Sequence, residues 1–384
     1  MLPLEIFGRS HENYIGARLD GLPAGEPVDI DALIEFMHRR SPKHRKEDDI
    51  PEIKSGICNG VTDGKPLEIV IYNHDARPED YEELRYIPRP GHADYPAYIK
   101  YNREEDMRGG GKFSGRMTAA VCAVGGVAKQ ILEHRGITIE AEKQQSEREV
   151  PAGDSIGGII SCTVKGMPVG IGDALFDGLD GAIAYYVFGI PGVKGIEFGA
   201  GFRAAEMLGS ENNDGYEIKN GKVNIKSNNA GGILGGMSSG ENIEFHVAFK
   251  PTPSIALKQN SVNLKTFENI ELEIKGRHDV CIADRASPIV EAAASLAILA
   301  MMPQKSDDLK SIRNKVDIID RELVELLNKR FELTDRAIDF KSSVLDSTRE
   351  KEVFENIRTA FGSDELDAVF DDIMKVSRDR QENK

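Results

Sequence analysis

The 384-residue chain contains no tryptophan and only four cysteines, Cys58, Cys122, Cys162 and Cys281. The cysteines are far apart and form no Cys-x-x-Cys pair, so neither a zinc site nor a disulfide framework is indicated; they read as buried free thiols in a reducing compartment. No run approaches the ~18 uninterrupted apolar residues of a membrane span. No basic-then-apolar segment opens the chain, and the expected location is the cytoplasm, with no membrane partner. Cations are also in deficit: 49 Lys and Arg against 64 Asp and Glu give a net charge of −15. That balance argues against a nucleic-acid partner. An anionic substrate would need a local basic pocket, for which His38-Arg39-Arg40 and Lys43-His44-Arg45 are candidates.

Glycine is abundant, at 38 residues, and clustered in runs such as Gly109-Gly110-Gly111 and Gly231-Gly232. Such runs mark tight turns or close backbone approach to a ligand. β-rich runs (Leu67 to Tyr72, Gly158 to Val164, Ile243 to Phe249) alternate irregularly with helical stretches (Ile30 to Arg39, Thr118 to His134, Ser287 to Met301), an α+β pattern. After residue 305 glycine occurs only at Gly362. Apolar residues from Leu309 to Ile338 then follow three-and-four spacing, which predicts one helix of some 30 residues that needs a partner along its length. Two shorter helices are expected, Ser347 to Phe361 and Ser363 to Arg380, the second capped by Ser363. The expected domains are residues 1–302 and 303–384.

Four features of the first domain carry chemistry. Arg89-Pro-Gly-His92-Ala-Asp-Tyr95 puts a histidine in a turn. Gly109-Gly-Gly-Lys112-Phe113-Ser114-Gly-Arg116 is a basic glycine loop entering a helix, where free N–H groups suit phosphate. Lys250-Pro251-Thr252-Pro253-Ser254 offers donors in a rigid turn, and Gly276-Arg277-His278-Asp279 sets a carboxylate beside cations. None decides alone: the glycine loop is as compatible with a packing turn as with an anion site, a lone histidine in a turn is more often structural, and the Lys-Pro-Thr segment by itself reads as a surface loop.

Taken together and in order, these motifs resemble the chorismate synthase family across about residues 4 to 302. The strongest likenesses are Arg89 to Tyr95, Gly231 to Ile255 and Gly276 to Cys281, with Ile190 to Phe202 a weaker one. The resemblance implies a β-α-β sandwich core. It also implies conversion of 5-enolpyruvylshikimate 3-phosphate to chorismate by 1,4-elimination of phosphate and a ring proton, with reduced FMN and no net redox change. By family position, His11 and His92 would supply protons and Asp279 would handle the ring proton. Arg39, Arg45, Arg89 and Arg116 would bind substrate. Arg39 and Arg45 also fall on cofactor-contacting positions, along with Lys112, Phe113, Ser114, Pro191, Gly192, Gly235, Lys250 to Ser254 and Arg277. NADPH or an external flavin reductase would be the source of electrons. The chain departs from the family pattern in its first motif, Gly8-Arg9-Ser10-His11-Glu12, where Gly-Glu-Ser-His-Gly is usual. A reversed charge beside a histidine can shift its pKa.

In the C-terminal helices Arg313, Arg330 and Lys341 are separated by near-whole turns and share one face. A solvated charged stripe would look the same. Asp346, Arg349 and Glu350 open the next helix, and Ser377 and Gln381 lie one turn apart on the last. With Leu309-x3-Arg313-x3-Asp317 and Leu326-Leu327-x2-Arg330, these positions resemble the all-helical chorismate mutase family over residues 306 to 382. The resemblance implies rearrangement of chorismate to prephenate. Arg313, from a partner subunit, and Arg330 would hold the carboxylates, and Lys341 and Gln381 would face the ether oxygen. Glu350 and Asp346 would bind the ring hydroxyl, and Arg349 and Ser377 would orient the substrate. The implied assembly is a homodimer or homotetramer. Three readings fit: a bifunctional enzyme, an active synthase with a mutase-like sensor, or an active mutase on an impaired synthase scaffold.

Overall fold

The computed structural model describes residues 1–41, 49–73, 86–102, 108–274, 279–303, 309–338, 347–361 and 366–382. The chain divides into two compact units, Met1–Ser306 and Asp307–Lys384.

The first unit is built on two four-stranded antiparallel sheets. One contains β1 (Leu4–Gly8), β2 (Tyr14–Leu19), β3 (Glu52–Ser55) and β4 (Leu67–Tyr72) in the order β1-β2-β4-β3. The other contains β5 (Thr138–Lys143), β6 (Gly158–Lys165), β7 (Val193–Phe198) and β8 (Ile243–Phe249) in the order β5-β6-β8-β7. Alternation decides which face is buried. In β8, Ile243, Phe245, Val247 and Phe249 are buried while the residues between them are not. In β2, Ile15, Ala17 and Leu19 are fully buried.

Helices α1 (Ile30–His38), α2 (Asp94–Lys100), α3 (Thr118–Glu133), α4 (Leu179–Phe188) and α5 (Ser287–Met301) belong to this unit, with the short helix Gly209–Asn212 and four two-stranded hairpins. The long helix α3 packs on β2 and β4, α5 packs on β5 and β6, and the two helices pack on each other. This is the expected sandwich of helices between sheets. Its centre depends on small residues: a Cβ at Gly125 would lie 2.5 Å from the Ala292 Cβ, and one at Gly126 would lie 2.5 Å from Leu33 Cδ1. The adjacent glycines therefore let α3 approach α5 with one face and α1 with another.

Three of the four cysteines are buried as expected, but Cys58 is exposed, because it lies in a two-residue strand of a surface hairpin. Burial pushes the Cys122 thiol up to about 12. Among the described residues no helix is long and apolar enough to cross a membrane.

The second unit consists of α6 (Leu309–Ala337), α7 (Ser347–Phe361) and α8 (Asp367–Glu382). Helix α6 runs 29 residues, close to the length its apolar spacing predicts. The expected Ser363 cap lies outside the described residues.

Candidate active site

The site in the first unit begins at Gly109–Gly111. These residues have φ of 58°, 93° and 53°, the left-handed region in which glycine alone is unstrained. The loop leads through Ser114, whose Oγ accepts from Arg116 N at 3.3 Å, into the short 3-10 turn Gly115–Met117 and then α3. Two histidines from distant parts of the chain meet this loop. A Cβ on Gly109 would be 2.2 Å from His11 Nε2, and one on Gly110 would be 3.3 Å from His92 Nε2. Side chains are excluded there, so both imidazoles face bare backbone.

Each histidine turn is fixed from outside. Asn73, just after β4, donates from Nδ2 to Glu12 O at 2.7 Å and accepts from Arg116 Nε at 2.9 Å. One amide thus links the His11 turn to the glycine loop. The unusual residues flanking His11 pair with each other: Arg9 Nη1 donates to Glu12 Oε1 at 2.9 Å. The reversed charge is therefore balanced within its own turn. His92 Nδ1 lies 2.6 Å from Asp94 Oδ1, and Arg89 Nε donates to Asp94 Oδ2 at 2.7 Å. Burial alone would raise the Asp94 carboxyl, but hydrogen bonds and charge from Arg89 and His92 outweigh it and hold the group well below the ordinary carboxylate range.

From His92 the wall continues into the lysine-proline segment. Lys250 Nζ donates to Gly91 O, and Pro253 Cβ lies 3.6 Å from where a Gly91 Cβ would stand. Partial burial, reinforced by the charge of Lys194, holds the Lys250 ammonium pKa below its usual value. Lys250 N donates to Gly192 O at 2.9 Å, and Gly192 packs near Ile282. Ile282 and Arg285 both face Gly115, and Arg285 Nη2 pairs with Asp279 Oδ2 at 2.6 Å. The residues picked out by motif thus form a continuous wall from His11 to Asp279. Lys112 borders it, with Nζ 3.7 Å from the Tyr101 ring centroid and 5.7 Å from that of Phe113.

Two positions fall elsewhere. Gly235 lies in a hairpin turn whose next residue, Gly236, packs against Asp173 and Gly178. Arg39 makes a two-pronged pair with Glu291, at 2.6 and 2.8 Å, on α5. Its neighbour Arg40 is instead joined to Arg116, since Asp49 pairs with both. Burial would raise Asp49, but the two guanidinium charges hold it low. Arg45, Arg277, Lys341 and Asp346 lie outside the described residues, as does the Arg313 side chain. The motifs gave no sign of Asn73 or Asp49, and they contained Arg40 and Asp94 without assigning either a part; each of the four contacts a neighbour of the candidate site.

In the helical unit Arg330 Nη1 donates to Ser377 Oγ at 2.7 Å, and Gln381 Nε2 donates to Thr334 O. Ser377 and Gln381 are buried, and partial burial lowers the Arg330 pKa. Glu350 is paired with Arg378. Arg349 turns away to Glu352 at 2.9 Å.

The profile of the chorismate synthase family matches residues 2–150 and 143–302. This chain belongs to the chorismate synthase family. Residues 312–382 match the chorismate mutase type II family. A chorismate synthase of Chitinophaga pinensis is 43% identical over 314 residues, covering 78% of this chain and 94% of that one. One of Lancefieldella parvula is 42% identical over 353 residues, covering 77% and 93%. A crystal structure of chorismate synthase superposes with a TM-score of 0.64 at 25% identity, covering 82% of this chain and 96% of that one. The chain joins a chorismate synthase, a lyase, to a chorismate mutase, an isomerase, and the chorismate synthase family works with reduced flavin.

Proposed function

We propose that residues 1–302 eliminate phosphate from 5-enolpyruvylshikimate 3-phosphate at the wall between His11 and Asp279, and that residues 303–384 rearrange the chorismate formed to prephenate. The observation that carries the first half is the meeting of His11 and His92 at one glycine loop.

The residues present fit a flavin phosphate and ring. Gly109–Gly111 leave open backbone, Lys250 supplies a cation, and Thr252 Oγ1 is buried with no hydrogen-bond partner among the described residues. Reduced FMN held there would supply transient electron density to the substrate with no net redox change. His11 and His92 hold protons at Nε2 for the departing phosphate and for the cofactor. Asp279, oriented by Arg285, accepts the ring proton. Arg89 and Arg116 are each fixed by a carboxylate and present guanidinium groups to the substrate's negative charges. Arg39 and Arg45 would hold NADPH if the chain reduces its own flavin; an external reductase is the other source. The setting is the cytoplasm.

The mutase step needs no nucleophile or metal. It needs a dianion held in a chair-like conformation, with donors at the breaking ether bond. Arg330 and Ser377 would form one end of that site, and by the family resemblance Gln381 and Lys341 would face the ether oxygen. Glu350 and Asp346 would take the hydroxyl, and Arg349, paired with Glu352 in the free chain, would exchange that partner for the substrate. Val316, Ile319, Leu323, Leu326 and Leu333 on α6 are 48–64% exposed in a single chain, and Arg330 continues their three-and-four spacing. A second copy would bury that stripe. Arg313 and Arg330 are about 25 Å apart along α6 at 1.5 Å per residue. An antiparallel pairing centred midway between them sets Arg313 of the partner subunit beside Arg330. The assembly is a homodimer through this helix, or a homotetramer if the larger domains also associate.

The test is anaerobic turnover of 5-enolpyruvylshikimate 3-phosphate with chemically reduced FMN, following phosphate, chorismate and prephenate. Wild type should release phosphate and accumulate prephenate. Arg330→Ala should stop at chorismate, and His11→Ala should release phosphate at least ~100-fold more slowly. Conversion of added chorismate without any phosphate release would leave the larger domain as a scaffold. Phosphate release with no prephenate would leave the helical domain as a sensor.

A further inference from the structure

Glu350 is placed at the mutase site by motif, yet a lone carboxylate there would repel a dianionic substrate. Its charge is met from α8. Arg378 Nη1 pairs with Glu350 Oε1, with side-chain exposures of 26% and 29%. Partial burial of both groups limits screening by solvent and salt. Arg378 follows Ser377, which takes the Arg330 hydrogen bond, and precedes Gln381 by less than one helical turn. The same stretch of α8 therefore carries two substrate-facing residues and the cation that engages Glu350.

We propose that Arg378 is a positioning residue for the mutase reaction. It neutralises Glu350 toward the incoming dianion and turns its carboxylate to accept the substrate's ring hydroxyl. The pairing also ties the start of α7 to α8, so the hydroxyl end and the Arg330 end of the site are held by one helix. The proposal rests on the site reading above, which places Glu350 against the hydroxyl. Two other arginines near this turn are engaged elsewhere: Arg380 pairs with Asp335 at 2.9 Å, and Arg349 with Glu352.

The experiment uses the full chain with added chorismate and compares Arg378→Met, Arg378→Lys, Glu350→Gln, the Arg378→Met/Glu350→Gln double variant and Arg330→Ala. Arg378→Met should lower kcat/KM at least ~10-fold, mostly through KM, because hydroxyl binding is lost before the bond-breaking step is touched. Arg378→Lys should recover most of that loss. The double variant should be no worse than Glu350→Gln alone, since residues that act as a unit are not additive. If Arg378→Met stays within about two-fold of wild type while Arg330→Ala is inactive, Arg378 has no such role. If the two losses multiply in the double variant, Arg378 does not act through Glu350, and the proposal fails. Full turnover by Arg330→Ala would bring down the underlying site reading and the proposal with it. Melting curves accompany each variant. Should Arg378→Met melt below the assay temperature, the Arg378→Lys/Glu350→Gln double variant decides the matter by matching or falling below Glu350→Gln alone.

Discussion

A histidine in a turn does chemistry only if something holds its ring still, and for His92 that group is Asp94. The partly buried carboxylate lies between His92 Nδ1 and the Arg89 guanidinium. Its folded pKa is depressed, so its contribution to stability is complete above the unfolded value of about 3.9 and is lost as pH falls through the folded value. Asp94→Asn keeps the shape and removes the charge. The urea midpoint of the variant should lie below wild type at pH 5, where the carboxylate is charged in both states. The gap should narrow below pH 4, by roughly 1 kcal/mol at pH 3. A gap that persists unchanged at pH 3 would mean the pairing is not electrostatic. At this scale the sequence marks the groups proposed to meet substrate, because their motifs are long. It does not disclose Asn73 or Asp49. An asparagine closing a strand reads as a turn residue, and only the fold brings it 61 residues back to the Glu12 carbonyl. Nor does it say that of the adjacent arginines Arg39 turns to Glu291 and Arg40 to Asp49, since that depends on how α1 ends.

Among elements, α3 sets the site, for its N-terminal end receives the glycine loop and its middle crosses α5. Gly125 and Gly126 stand where helix propensity is poorest, and each is explained by a neighbour that leaves no room for a methyl group. Gly181 in α4 is the control, because a Cβ there meets nothing within 4 Å. Gly125→Ala should destabilise by about 1–3 kcal/mol through overpacking against Ala292. Gly181→Ala should stabilise by about 0.5–1 kcal/mol by restricting the unfolded chain. Chemical denaturation of the two variants beside wild type would show opposite signs; a neutral Gly125→Ala would mean the crossing can widen without cost. Strands such as β8 were legible because strict alternation has one structural meaning. The order of strands in each sheet was not, because pairing partners lie far apart in sequence and α+β connections follow no regular rule.

At the scale of the whole molecule the two activities differ in what they ask of assembly. The α6 stripe was readable as a periodicity, and its length already called for a partner. In a single chain Leu323 is 50% exposed and Leu326 61%, so the helix leaves its apolar seam in water. Burying such leucines is worth about 1.5–3 kcal/mol each, and a charge placed at the seam's centre forfeits that and meets its own copy across a two-fold axis. Leu323→Glu should therefore abolish conversion of added chorismate to prephenate by separating Arg313 of the partner subunit from Arg330. Phosphate release from 5-enolpyruvylshikimate 3-phosphate should stay within about two-fold of wild type, because no residue of the His11 to Asp279 wall lies in α6. Parallel assays of both steps, with the sedimentation of each protein, separate the alternatives. Mutase activity surviving in Leu323→Glu would mean that one chain completes the site by itself, and the apolar seam would then need another explanation.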